Sequence, residues 1–318
     1  MRPKTKELGM RILPNNESTT STGVAVAHLS DTGKVRQMNQ DATGISANPQ
    51  ALPGFEILAM VADGMGGHQG GEVASTTTIE ILSEQLESAG RGSDDLLPAL
   101  SVEDIFQAAV ATANESIRAK AEELNLHGMG TTLTAIALSP QTAFIANIGD
   151  SRIYLLRQND LLKLTQDHSL VAEQVRLGYI TEEEAESHPQ RNVITRALGI
   201  AQSVEADITT VDIQPSDILM LCSDGLYPVV PPDEVKEILG NLPPLTACQE
   251  LIGRANTYGG PDNISIAIVH IPDSWLTSAA AEDSIDLSSH PTIKQTPPKR
   301  RRPRPLAFLK RLFSKRNP

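Results

Sequence analysis

The chain has 318 residues, a formal net charge of −12 and seven histidines, and its length suits one large domain or two smaller ones. No apolar run approaches the roughly 20 residues that cross a bilayer, and the N-terminus lacks the apolar segment of a secretory signal. The two cysteines, Cys222 and Cys248, lack metal-type spacing, so we predict that both are inert core residues. These features favour a cytoplasmic protein.

Charge is distributed unevenly along the chain. The last twenty residues carry nine lysines and arginines and no acid, and removing these nine charges from the total of −12 leaves −21 for the rest. The acidic body argues against nucleic acid as a partner. The basic tail also contains leucines and phenylalanines, most of them on one face if it is helical, a composition typical of contact with an anionic membrane or an acidic partner. A solvated tail without a specific partner is the alternative.

The apolar patterns predict more strands than helices, although both are frequent. Consecutive strands with helices grouped between them favour an α+β fold with antiparallel sheets covered by helices. The predicted strands are 23–29, 55–63, 131–138, 142–148, 152–156, 161–164, 208–211, 218–222 and 264–271. The predicted helices are 71–89, 102–124, 233–239 and 245–257.

Composition predicts one folded domain with flexible ends. Residues 1–21 are polar and irregular, which predicts disorder. The domain then spans 22–272. A Ser/Thr/Pro-rich linker is predicted at 273–298, and the basic amphipathic tail at 299–318 follows it. Nothing in the sequence indicates an obligate interface, so we expect a monomer.

Four aspartates stand where an apolar strand meets a turn: Asp63, Asp150, Asp224 and Asp262. A buried, unpaired carboxylate is costly, and carboxylates that converge raise one another's pKa unless a cation neutralises them. Oxygen ligands favour Mg²⁺ or Mn²⁺ over zinc, and two such ions would activate a water and hold a phosphoryl group. The alternative for each aspartate is a purely structural turn.

Seven short stretches follow one another along the chain: GKVRQMNQDA, VADGMGGHQGGEVAS, GMGTTLTA, IGDSR, SHPQRNVITRALG, LCSDGL and GGPDNISIAIV. The sequence contains neither a GxxxxGK[ST] motif nor a Cys-x5-Arg motif, so it indicates neither a P-loop nor a cysteinyl-phosphate route. In this order the seven stretches resemble the motifs of the metal-dependent protein phosphatases (the PPM family of type 2C serine/threonine phosphatases), in particular its bacterial branch.

The resemblance implies a four-layer αββα sandwich, with a binuclear metal centre at one edge of two packed antiparallel sheets. By motif, Asp63 would bridge two Mn²⁺ or Mg²⁺ ions, and the Gly64 carbonyl would bind the second. Asp224 and Asp262 would complete the first. Asp150, with Asp224, would hold a third ion, although a structural role is the alternative.

The resemblance also implies catalytic roles. Asp41 would orient a metal-bound water, and Arg36 would hold the substrate phosphate, unless it is only a surface ion pair. His68 would donate a proton, orient water or cap the following helix. Animal members place a candidate acid histidine where this chain has Met65, which weakens the first role. Residues 167–191 correspond to the flap beside the site, where family members vary in substrate handling.

The implied function is hydrolysis of phosphoserine and phosphothreonine esters in proteins by a metal-activated water. The expected partners are phosphoproteins, and bacterial-type serine/threonine kinases and their targets. Two other hypotheses remain: a pseudophosphatase that binds phosphoproteins without hydrolysis, and an enzyme dedicated to one regulator, such as an anti-sigma antagonist.

Overall fold

The computed structural model describes residues 17–20, 22–46, 55–67, 69–88, 101–274 and 293–295. The basic tail, His68, most of the predicted linker and most of the predicted N-terminal disorder lie outside these ranges. Within them, none of the helices combines the length and hydropathy of a membrane span.

The described residues form strands and helices in the mixed order that the sequence predicts. The strands are β1 (Glu17–Thr19), β2 (Ala25–Asp31), β3 (Ala42–Ser46), β4 (Ile57–Ala62), β5 (Gly64–Met65), β6 (Gly130–Thr131), β7 (Leu133–Leu138), β8 (Thr142–Ile148), β9 (Arg152–Arg157), β10 (Asp160–Lys163), β11 (Asp207–Asp212), β12 (Ile218–Cys222), β13 (Ile264–His270) and β14 (Ile293–Gln295). The helices are α1 (Gly70–Ser88), α2 (Val102–Glu123), α3 (Leu170–Arg176), α4 (Glu182–Glu186), α5 (Pro232–Asn241) and α6 (Pro244–Thr257).

Two six-stranded sheets form the centre of the domain. One has the order β1-β2-β13-β12-β9-β10, and the other has the order β14-β11-β8-β7-β4-β3. All of their pairings are antiparallel. A short ribbon of β5 and β6 adjoins them. We call the first the A sheet and the second the B sheet.

The two sheets stack face to face with helices outside them, which confirms the αββα architecture. Alternate residues of β12 show how the layers form: Leu219 and Leu221 join the core between the sheets, and Met220 and Cys222 face α5 and α6. The B sheet packs its outer face against α1 and α2. Because both faces of the central strands are covered, their sequences are continuous apolar runs rather than alternating ones.

In the two six-stranded sheets, three strands lie where the sequence predicts none: β1, β3 and β14. All three are edge strands, so each needs to satisfy only one neighbour, and a short strand with few apolar residues is sufficient. β1 falls inside the stretch predicted to be disordered, and pairs with β2. β14 falls inside the predicted linker, and pairs with β11.

Both cysteines are buried and free. They contribute to the core under α5 and α6, as predicted.

Candidate metal centre

The four strand-end aspartates lie at one edge of the stacked sheets. Asp63 follows β4 and Asp150 comes two residues after β8, both strands of the B sheet. Asp224 comes two residues after β12, and Asp262 two residues before its antiparallel neighbour β13, in the A sheet. A strand end and the start of its antiparallel neighbour meet on the same side of a sheet. The charge of Asp224 in the A sheet raises the pKa of Asp63 and of Asp150 in the B sheet, so both sheets present acids to the same cleft.

Asp63 is held by its backbone, so its carboxylate remains available to the cleft. Its N–H donates to Oγ1 of Thr132 at 2.9 Å, and its carbonyl accepts from the Thr132 N–H at 2.9 Å. The hydroxyl of Thr131 donates to the same carbonyl at 2.8 Å. These threonines belong to the GMGTTLTA stretch, for whose residues no role was predicted.

Two glycines, Gly64 and Gly225, lie next to the acids at points where two backbone segments come into close contact. A Cβ on Gly64 would lie 2.1 Å from the Gly71 carbonyl oxygen. A Cβ on Gly225 would lie 1.9 Å from the carbonyl oxygen of Asn263, so only glycine lets the turn after Asp224 pack against the turn that carries Asp262.

Asn263 joins that turn to the loop of residues 32–41. Its Nδ2 donates to the carbonyls of Thr32 and Met38, each at 2.9 Å, and its Oδ1 accepts from the N–H of Gln40 at 2.8 Å. No role was predicted for Asn263, although it stands in the GGPDNISIAIV stretch.

The same loop places Arg36 over the acids. Its Nη2 lies 2.7 Å from Oδ2 of Asp262, and 54% of its side chain is exposed. The hydrogen bond to Asp262 raises the pKa of Arg36, and the charges of Asp224 and Asp63 add to that increase. The guanidinium therefore faces the cluster from the solvent side, in position to meet an anion that enters the cleft.

Asp41 lies beneath the cluster. Its Oδ2 accepts from the Ser223 hydroxyl at 2.8 Å, and its buried Oδ1 has no hydrogen-bond partner among the described residues. Burial, together with the charges of Asp224 and Asp262, raises the pKa of Asp41 to about 7.

The carboxyls of Asp63 and Asp224 lie within hydrogen-bond distance of each other. Burial raises the pKa of both, and the charges of Asp41, Asp224 and Asp150 raise that of Asp63 further. The hydrogen bond between the two carboxyls raises the pKa of Asp63 and lowers that of Asp224. Such a group of acids gains from binding a positive ion.

Asp150 lies on the side of the flap. It is 4% exposed, and its Oδ1 has no partner among the described residues. Burial and the charges of Asp224 and Asp167 raise the pKa of Asp150 to about 7.

Asp167, at the start of the flap, forms a bidentate ion pair with Arg152. The Arg152 Nη2 lies 2.7 Å from its Oδ2, and Arg152 Nε is within 3.2 Å of both carboxylate oxygens. The guanidinium also lies 3.5 Å from the ring centroid of Tyr227. This anchor was not predicted, although Arg152 stands in the IGDSR stretch.

The aspartates of this cluster supply the oxygen ligands that divalent cations such as Mg²⁺ and Mn²⁺ bind. Two buried carboxylate oxygens, on Asp41 and Asp150, are unpaired, and the cluster carries more negative charge than Arg36 alone can offset. Within the described ranges no group of three or more His, Cys, Asp or Glu side chains is spaced to hold a metal ion. Carboxylate oxygens are the ligands that suit Mg²⁺ or Mn²⁺, and Mg²⁺ commonly takes only one or two of them from the protein and keeps several waters.

The sequence model of the protein phosphatase 2C family matches residues 32–251. The chain belongs to this family. It is 42% identical over 241 residues to "Serine/threonine phosphatase stp" of Listeria innocua, an alignment that covers 75% of this chain and 92% of that protein.

Solved structures of bacterial phosphatases have the same fold. The Mycobacterium tuberculosis serine/threonine phosphatase PstP/Ppp matches with a TM-score of 0.68 and 38% identity, over 78% of this chain and 99% of that one. The PstP catalytic domain in complex with two manganese ions matches with a TM-score of 0.66 and 36% identity, over 79% and 99% of the two chains.

Proposed function

We infer that this 2C-family chain is a metal-dependent serine/threonine protein phosphatase, with phosphoproteins as its substrates. The observation that carries this conclusion is the meeting of strand-end carboxylates from two sheets beside one exposed arginine. Carboxylates that hold divalent cations and a guanidinium that binds an anion are the two parts that phosphoester hydrolysis needs.

The roles of single residues are proposals. Asp63, the Gly64 carbonyl, Asp224 and Asp262 would hold two Mn²⁺ or Mg²⁺ ions, and Asp150 with Asp224 would hold a third. When bound, these ions supply an activated water and offset the charge of the phosphoryl group. The manganese-bound PstP relative supports this choice of metal.

The remaining roles concern the substrate and the proton. Arg36 would exchange its ion pair with Asp262 for a bidentate contact with the substrate phosphate. Asp41, whose Oδ1 is unpaired, would accept a hydrogen bond from the attacking water and orient it. The role of His68 stays a prediction, since that residue lies outside the described part of the chain.

A covalent route through cysteine is excluded by the fold. Cys222 is the cysteine nearest the cluster, two residues before Asp224, but it is fully buried. Burial raises the pKa of its thiol to about 12, so it remains a thiol rather than a nucleophilic thiolate at neutral pH.

Hydrolysis of a phosphothreonine peptide by the purified protein tests the proposal. With Mn²⁺ or Mg²⁺ we expect turnover, and with EDTA none. Asp224→Ala should lower kcat at least about a hundredfold, because it removes a ligand of the proposed ions. Asp160→Ala, which removes an exposed carboxylate at the start of β10, is the matched control and should behave as wild type.

The same assay separates the enzyme from a pseudophosphatase. A protein that binds the peptide but hydrolyses it under no metal condition would overturn the proposal. Full activity of Asp224→Ala would overturn the assignment of the metal centre.

We further propose that the substrates are cytoplasmic targets of bacterial serine/threonine kinases and that the enzyme acts as a monomer. The bacterial phosphatases among its relatives support this setting. Contact of the basic tail with an anionic membrane or an acidic partner is a separate proposal from its composition. Deletion of residues 298–318 would test it, and unchanged membrane partition would contradict it.

A further inference from the structure

A buried histidine at the start of the flap takes no part in the proposed chemistry. His168 is 6% exposed, and its ring makes two hydrogen bonds. The Gly149 N–H donates to Nδ1 at 3.0 Å, and Nε2 lies 2.9 Å from Oδ2 of Asp207. Because a backbone N–H can only donate, Nδ1 must accept, and the ring proton must reside on Nε2. The two hydrogen bonds therefore assign the Nε2–H tautomer to His168.

His168 is hydrogen-bonded to the turn at Gly149, and the next residue of that turn is Asp150. The backbone N–H of His168 also donates to the Gly149 carbonyl at 2.9 Å, so ring and backbone grip the same residue. Gly149 has a φ of +102°, and a Cβ there would lie 2.5 Å from Cγ2 of Thr132. Thr132 in turn accepts the N–H of Asp63. A shift of this turn would thus disturb two of the proposed cation ligands.

The other contacts of His168 belong to the flap and its base. The His168 carbonyl accepts from the Thr195 N–H at 2.8 Å. This hydrogen bond joins the beginning of the flap to the segment that follows its end. Asp207, the partner of Nε2, is also paired with Arg196. His168 therefore lies where the base of the flap meets the turn of Asp150.

We propose that His168 is a positioning residue that sets the affinity of Asp150 for a cation by holding Gly149 through Nδ1. The inference rests on the proposed function in one respect, namely that Asp150 is a cation ligand. Groups that orient a ligand without touching the ion commonly change metal affinity by about 10- to 100-fold when removed.

Two substitutions separate the two ring nitrogens. Asparagine Oδ1 is as many bonds from the backbone as Nδ1, so His168→Asn keeps an acceptor for Gly149 and loses the bond to Asp207. Glutamine Nε2 corresponds to histidine Nε2, so His168→Gln keeps a donor to Asp207 and loses the acceptor. We expect His168→Gln to weaken the weakest Mn²⁺ site by about tenfold in calorimetry, and to speed exchange of the Gly149 amide proton. His168→Asn should retain wild-type values of both.

The chain offers a matched control for these variants. Nδ1 of His188, in the flap, also accepts a backbone N–H, from Gln190 at 3.1 Å, but His188 makes no described contact with the Gly149 turn. His188→Gln should therefore leave Mn²⁺ affinity and Gly149 exchange unchanged. Equal defects in both His168 variants, or a larger defect in His168→Asn, would overturn the proposal.

A measurement on the wild-type protein decides the matter if the variants fail to fold. Nitrogen-15 spectra should show His168 Nδ1 unprotonated and Nε2 protonated, and a proton on Nδ1 would overturn the proposal. This readout does not depend on catalysis. Failure of the proposed function would appear instead as absent metal-dependent hydrolysis by a wild-type protein with the expected tautomer.

Discussion

At the scale of single residues, uncharged side chains hold the charged ones in place. Asn263 ties three backbone groups of the loop that carries Arg36. Ser223 donates to Asp41, and Thr132 accepts from the amide of Asp63. Because these partners fix the acids without neutralising them, the negative charge of the cluster remains available to cations.

Asn263→Ala tests this division between neutral supports and charged ligands. The variant leaves one N–H and two carbonyls of the loop without their partner, and we expect the free energy of unfolding to fall by about 1–3 kcal/mol. KM for a phosphopeptide should rise more than kcat falls, because the loop of Arg36 is loosened. Urea denaturation and steady-state kinetics measure both effects.

Asn241→Ala is the control for that experiment. Asn241 is exposed, and among the described residues its side chain donates only to the Glu237 carbonyl of its own helix, so its removal should leave KM unchanged. An unchanged KM in Asn263→Ala would contradict the role given to Asn263.

At the scale of elements, β9 carries an arginine anchor at each end. Arg152 holds the flap through Asp167 at the edge of the metal centre. Arg157 forms a buried ion pair with Asp217 at the opposite edge, with Nη2 2.5 Å from Oδ2. Arg157 also donates to the Asp212 carbonyl at the end of β11, and so connects the A sheet to the B sheet.

Replacing Arg157 should destabilise the whole domain. Arg157→Met leaves the buried Asp217 carboxylate without its cation, and we expect unfolding free energy to fall by about 3–5 kcal/mol. Arg254→Met, which removes an arginine from exposed pairs with Glu234 and Glu250, should cause no measurable change. Equal denaturation midpoints of the two variants would contradict the role of Arg157 as the link between the sheets.

The central elements and the acids at their ends could be predicted from the sequence. The predicted strands 142–148 and 218–222 match β8 and β12, because buried runs bounded by glycine and aspartate are local signals. The edge strand β3 was missed, since its neighbour β4 supplies most of what stabilises it. The contact of Asn263 with Gln40 spans 223 residues, and no local pattern specifies such a distance.

The same reasoning explains which parts of the site were missed. Asp63, Asp150, Asp224 and Asp262 are conspicuous because an acid directly beside an apolar strand is costly unless it has a function. His168 and Thr132 have no such cost, because their polar groups are satisfied by partners that only the folded chain brings near. The contact of Arg36 with Asp262 likewise depends on the packing of two distant turns.

At the scale of the whole molecule, acidity and metal binding are coupled. In the absence of cations, burial raises the pKa of Asp41 and of Asp150 from 3.8 to about 7. The folded state therefore binds protons more tightly than the unfolded state between these two values. Proton binding to these two carboxyls therefore adds to the free energy of unfolding at acid pH, and this contribution is lost as pH rises towards 7.

Thermal unfolding in EDTA should show this dependence directly. We expect Tm to fall between pH 5 and pH 8, because this range spans the shifted pKa of about 7. Saturating Mn²⁺ should raise Tm most at pH 8, because the cation replaces the protons that the acids have lost. A Tm in EDTA that rises with pH, or that is indifferent to Mn²⁺, would contradict this account.

The short helix α4 buries none of its residues, whereas all six residues of β4 are buried. Substitutions in α4 therefore change the protein surface at little thermodynamic cost, while substitutions in β4 disturb the mount of Asp63. The strand that precedes Asp63 therefore tolerates few changes, whereas the exposed helix α4 tolerates many. We expect related phosphatases to differ more in α4 than in β4.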